Sequence, residues 1–185
     1  MTAPPADPRE NPADAPSVHA SAVLIGQEAV LLRGPSGSGK SRLAFELILA
    51  GRSNQIPRAV LVGDDRIYLE ARQGRLWARP ATRLAGLIEI RGLGIRHCDF
   101  VSEAPIGWVV DLDAHDGARL PVPESLTTTL LGIELPRIPV QTGFSALPLI
   151  AASLITRPLS TPPASAKEDC PGGICHHIGP TVATD

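Results

Sequence analysis

The sequence predicts an α/β domain: a P-loop-containing mixed sheet with helices laid against it. Three observations lead there. A glycine-rich loop, "GPSGSGKS" from Gly34 to Ser41, stands between an apolar run and an amphipathic one. A second apolar run, "AVLVG" from Ala59, ends in the paired carboxylates Asp64 and Asp65. Strand-like stretches then recur along the chain before a last apolar helical segment.

In order, "HASAVLI" and "AVLLRG" read as two strands joined at Gly26-Gln27-Glu28, a hairpin. Ser41 to Ala50 sets Leu43, Leu47 and Ala50 on one helical face, widened by Phe45, Ile48 and Leu49. Gly51 follows as the expected C′ stop. "AVLVGDD" is a buried strand, and "RIYLEARQGRLWARP" a hairpin turning at Gln73-Gly74. "GLIEIRGLGI" begins as a strand and is then punctuated by glycine. "IGWVVDLD" is another apolar strand. "LPRIPV" is a short edge strand bounded by Pro136 and Pro139. "SALPLIAASLI" closes the series as a helix with Pro148 near its start.

The chain has 185 residues and 43% apolar content, enough for one domain with its own core. A net charge of −2 leaves no electrostatic footprint for nucleic acid. No apolar stretch reaches membrane-spanning length, and the N-terminus lacks a secretory pattern, so the expected location is cytoplasmic. Cys98, Cys170 and Cys175 are too few for a disulfide framework. Residues 1–17 read as a disordered leader, 18–157 as the folded domain and 158–185 as a disordered tail rich in Pro, Gly and Ser. The tail segment "CPGGICHH" has no standard zinc spacing and is read as part of that tail.

The loop matches G-x-x-x-x-G-K-[ST] without a gap: Gly34, Pro35, Ser36, Gly37, Ser38, Gly39, Lys40, Ser41. Glycines let backbone N–H groups converge on an anion, and the following helix adds its positive end. Lys40 supplies a mobile charge for the β and γ phosphates, and Ser41 a hydroxyl for Mg²⁺. Of Asp64 and Asp65, one can face the metal and the other the attacking group, since neighbours at a strand end point apart. His19, His97 and His115, taken alone, read as structural histidines. Glu89 is either a metal carboxylate or a polar strand position.

Four pieces in order give the chain a family resemblance: His19 in "VHASAVLI", then "GPSGSGKS", "VGDD" and "IEIRGLGI". Together they resemble the C-terminal catalytic domain of HPr kinase/phosphorylase, over roughly residues 18–155. That resemblance implies a fold similar to the nucleotide-binding domain of phosphoenolpyruvate carboxykinases. It also implies ATP-dependent phosphorylation of a serine on HPr, a phosphocarrier protein, with removal of that phosphate by phosphorolysis. HPr or an HPr-like carrier is then the partner, with no nucleic acid or membrane, and the protein is a homo-oligomer. By position, Lys40 and the loop hold phosphate, Ser41, Asp65 and Glu89 arrange Mg²⁺, Asp64 is the base, and His19 stands beside it.

The sequence also departs from the family. A short polar leader stands where the family has an N-terminal domain, so a truncated form is expected. "RSNQIPRA" reads as an extra surface loop. Phe144 and Ser145 occupy the place of a family arginine tied to phosphate removal, with Arg137 and Arg91 as the nearest substitutes. Two other readings remain: a nucleotide-binding regulator without transfer, and a small-molecule P-loop kinase or NTPase.

Overall fold

The computed structural model describes residues 17–157. The expected leader, apart from Ser17, and the expected tail with its Cys/His segment lie outside the described residues.

The elements run β1 (Ser17–Val18), β2 (Ser21–Ile25), β3 (Glu28–Arg33), α1 (Lys40–Arg52), β4 (Ala59–Gly63), β5 (Ile67–Arg72) and β6 (Arg75–Pro80). Then come β7 (Leu87–Ile90), β8 (Gly94–His97), β9 (Ala104–Leu112), β10 (Thr127–Leu130), β11 (Ile133–Val140) and α2 (Leu147–Ile155). The main sheet has the order β1-β5-β6-β9-β3-β2-β4. It is mixed: β3 and β9 pair in parallel, whereas β2 pairs antiparallel with both β3 and β4. The edge of β9 away from β3 is divided. Its first residues pair with β6 and its last with β11, which carries β10 on its far side. β7 and β8 form a separate hairpin. Ser17, expected in the leader, pairs with Tyr68 of β5.

Alternation along the central strands explains the two cores. Val30 and Leu32 of β3 face the α1 side with Leu43, Leu47 and Val110. Ala29 and Leu31 face the opposite side with Leu69, Leu76 and Val109. A strand covered on both faces needs an unbroken apolar run, and "AVLL" is one. The expected hairpins are present. Gln73 and Gly74 both have positive φ, at 51° and 73°, as a two-residue primed turn requires.

Three local readings need correction. α1 does not stop at Gly51, which lies inside the helix. A Cβ at Gly51 would sit 2.6 Å from the Ala59 backbone N, so the glycine serves close helix–strand packing. The helix ends instead in a Schellman motif. Asn54 takes the left-handed position at φ 58°, Asn54 N donates to Gly51 O and Gln55 N to Ala50 O. The strand expected at "LPRIPV" is longer, running from Ile133 through both prolines and covered by β10 on one side. β10, "TTTL", was not expected at all, because four residues with one apolar side chain carry no periodic signal.

Gly51→Ala is expected to lower folding stability by about 1–3 kcal/mol through overpacking against Ala59. Urea unfolding followed by circular dichroism checks this. An unchanged midpoint would mean that the helix–strand contact relaxes freely.

Candidate nucleotide site

β3 delivers the chain to Gly34 at the strand's end, where the loop begins. A Cβ at Gly34 would lie 2.7 Å from Ser38 Oγ and 2.8 Å from the Leu112 carbonyl, so only glycine passes there. Gly37 and Gly39 are required for a different reason. Both have positive φ, at 82° and 96°, and a Cβ at either would meet open space. Left-handed glycines between ordinary residues turn successive amides toward one point and form an anion nest. Gly39 caps α1, whose first turn has no acidic residue to occupy its free N–H groups.

Lys40 is 6% exposed, and its Nζ donates to the carbonyls of Gly34 and Pro35, each at 2.9 Å. The ammonium is thus held across the loop entrance by acceptors that a phosphate can replace. Burial lowers the Lys40 pKa from its ordinary value, while Asp64 and then Asp65 pull it back up. A partly desolvated cation beside an anion nest favours an anionic ligand.

The two adjacent aspartates are separated by the backbone. Asp64 continues inward from β4 and is 5% exposed. Its Oδ1 accepts from Ser21 Oγ at 2.5 Å and from Ser41 Oγ at 3.0 Å; its Oδ2 accepts from the Glu89 backbone N at 3.3 Å. Asp65 has φ 69°, a left-handed conformation that Asp tolerates better than most residues. Its side chain turns outward, 65% exposed, with Oδ1 3.5 Å from His19 Nδ1.

Ser41 meets Asp64, the residue expected as base, and not Asp65, expected at the metal. The Glu89 side chain is exposed, and only its backbone takes part. No group of three or more His, Cys, Asp or Glu is assembled for a metal among the described residues. A buried carboxylate against a loop serine hydroxyl does fit Mg²⁺. That ion commonly takes one or two protein oxygens and fills its shell with water and phosphate. Ser41 and Asp64 would hold it here.

Sequence reasoning missed Ser21. It sits in the apolar strand "SAVLI", 1% exposed, and a lone buried hydroxyl there is the signal that could have revealed a partner. It also missed a network on the other flank of the loop. Arg33 grips Asp111 with Nε and Nη2, both at 2.7 Å. Arg137 donates to Asp111 through Nε at 2.5 Å, to Asp116 through Nη1 and Nη2 at 2.6 and 3.0 Å, and to the Ser125 carbonyl at 2.9 Å. Burial pushes the Asp111 pKa up, but the hydrogen bonds from Arg33 and Arg137 outweigh it and hold the carboxyl below its ordinary value.

Ser21→Ala is expected to cost about 1–3 kcal/mol, because Asp64 loses a donor inside the protein. Thermal unfolding of the purified variant measures it, and a loss within error of zero would show that water replaces the hydroxyl.

Known proteins resemble this chain in sequence and in fold. Residues 10–161 match the family model "HPr Serine kinase C-terminal domain". An HPr kinase/phosphorylase of Streptococcus thermophilus is 44% identical over 84 residues, covering 45% of this chain and 25% of that protein. One from Mycoplasma mycoides is 31% identical over 150 residues, covering 74% of this chain and 46% of the relative. The chain thus spans half or less of the length of these relatives. Among solved structures, the Hpr(Ser) kinase/phosphatase from Coxiella burnetii superposes with a TM-score of 0.59 at 26% identity, over 76% of this chain and 93% of that one. No helix among the described residues is long and apolar enough to cross a membrane. With the phosphate loop, the paired aspartates and His19 all inside the matched span, the chain belongs to the HPr serine kinase C-terminal domain family.

Proposed function

We propose that the protein is an ATP-dependent protein-serine kinase acting on HPr or an HPr-like phosphocarrier, and that it assembles as a homo-oligomer in the cytoplasm. A nucleotide fold similar to that of phosphoenolpyruvate carboxykinases is part of the same reading, supported by the mixed sheet around the loop. The observation that carries the proposal is the separation of two adjacent carboxylates. One is buried against the loop serine, and the other is exposed beside a histidine.

The loop amides and Lys40 bind the outer phosphates. Ser41 and Asp64 hold Mg²⁺, which when bound neutralises phosphate charge. Asp65 is assigned as the base in place of Asp64. A protein serine cannot reach a carboxylate that is 5% exposed with three donors on it, but it can reach one at the mouth of the site. Asp65 orients the seryl hydroxyl and takes its proton as the phosphoryl group transfers. The loose transition state asks for positioning more than for full deprotonation. His19, 3.5 Å away, steadies Asp65 in that pose. The same carboxylate returns the proton in the reverse direction.

Incubation with γ-labelled ATP and purified HPr tests the function. Label on HPr supports it. Turnover independent of HPr would favour a small-molecule kinase or NTPase, and binding without turnover a regulator.

Asp65→Asn is expected to slow transfer by about 10²- to 10⁴-fold with nucleotide binding retained. Asp64→Asn is expected to raise the Mg²⁺ requirement, and Lys40→Ala to abolish tight ATP binding. If Asp64→Asn slows transfer without changing the Mg²⁺ requirement, while Asp65→Asn changes that requirement, the two roles revert to the order first expected.

Phosphate removal is expected to run well below phosphorylation. Bringing inorganic phosphate beside a phosphoserine needs a cation, and Phe144 and Ser145 offer none. Arg137 cannot substitute, because its guanidinium is already engaged by two carboxylates and a carbonyl. Loss of phosphoserine from HPr at millimolar phosphate measures the rate. Equal rates in the two directions would point to the exposed Arg91.

A further inference from the structure

We infer that the chain Arg33–Asp111–Arg137 is a positioning device for the phosphate loop, with Asp111 as its central member and Asp116 as a merely structural anchor at its far end. The inference rests on the nucleotide-binding reading of the loop and adds residues to it.

The loop has two flanks. On one, Ser41 and Asp64 tie the start of α1 to the end of β4. On the other, the loop leaves β3 at Arg33, immediately before Gly34. Arg33 and Asp111 are register partners of the parallel pair β3 and β9, and their side chains meet bidentately on one face. The next residues along the two chains also meet closely: a Cβ at Gly34 would lie 2.8 Å from the Leu112 carbonyl. The Arg33–Asp111 clasp and the Gly34–Leu112 contact are therefore consecutive rungs. Displacing the first moves the second, and with it the point from which the anion nest is hung.

The bidentate pair already fixes the plane of the Asp111 carboxylate against Arg33, and Arg137 adds a second guanidinium from another strand. Its Nε takes the same Oδ2 that receives Arg33 Nη2, so the carboxylate is gripped from two strands, β3 and β11. Arg137 is itself held by Asp116 and by the Ser125 carbonyl. Two arginines and two aspartates make the group neutral overall, and the side chains of Asp111 and Arg137 are only 15% and 12% exposed. A mutually bonded group of two cations and two anions adds no net charge beside the nest. Its contribution is geometric. None of its members is needed to touch phosphate, so they are positioning residues and not catalytic ones.

The loss of Asp111 should therefore appear in the loop before it appears in the chemistry. Asp111→Asn keeps the shape and removes the charge that holds both guanidinium groups. Its expected effects are faster hydrogen exchange at the amides of Gly34 to Gly39 in the nucleotide-free protein, and nucleotide affinity weaker by about 10- to 100-fold in the folded protein. Asp116→Asn is the control. It releases the outer end of Arg137 but leaves the Arg33–Asp111 clasp intact, so it should lower the unfolding temperature and leave loop exchange and affinity within about twofold of wild type. Should Asp111→Asn fail to fold, Arg33→Gln removes the same clasp from its more exposed side and carries the same expectations. Loop exchange unchanged in the Asp111 or Arg33 variant would overturn the inference. So would an Asp116 variant that loosens the loop as much as either. The exchange measurement needs no ligand, so it stands even if the wild-type protein were found not to bind ATP, an outcome that would fall on the proposed function instead.

Discussion

A buried carboxylate must be satisfied where it lies, and Asp64 organises this protein through that requirement. It is reached by Ser21 from β2, Ser41 from α1 and the Glu89 amide from β7. These three donors lie far apart in sequence, and each belongs to a different element. Without Asp64 the start of α1, the N-terminal end of β2 and the separate β7–β8 hairpin share no polar anchor. With it they converge on the end of β4, beside Lys40. The same group that holds the loop's surroundings together is the one assigned to the metal in the proposed function, so stability and the proposed chemistry draw on a single oxygen pair.

Adjacency in sequence does not mean similarity of environment, and Asp65 shows why. A left-handed φ of 69° reverses the direction of the chain after Asp64, turning one carboxylate inward and the next outward. Asp65 sits in solvent beside His19, whereas Asp64 is buried among three donors. The proposed function asks for one acid at a metal and another at a protein hydroxyl, two acids of unlike exposure within a short reach. One backbone inversion supplies both.

Much of this was legible before the fold was known, where the signal is local. Glycine spacing identified the loop, the apolar stripe identified α1, and Gln73-Gly74 marked the hairpin turn. The errors fell where the deciding atoms come from elsewhere in the chain. Gly51 looked like a helix stop, and only the nearness of Ala59 shows that it is a packing glycine. Asp64 and Asp65 could be paired as metal and base in either order, because their division depends on Ser41, Ser21 and His19. Arg137 was legible only as a candidate substitute cation, and its bonds to Asp111, shared with Arg33, appear only once three strands align them. Ser21 was hidden by the apolar run around it.

The parallel pairing of β3 with β9 bears on how the protein reaches its working state. The two strands are separated in sequence by α1, both hairpins and every strand between them, yet Gly34 of the loop is seated against Leu112 at the end of β9. Pairings of such long range form late, because the intervening chain must be ordered before they gain anything. The phosphate loop is encoded in eight consecutive residues but cannot take its shape until the chain has been made at least as far as Leu112. During synthesis, the seated form of the loop therefore arrives only after most of the domain has left the ribosome, and a chain interrupted before β9 would carry the whole motif with nothing to seat it.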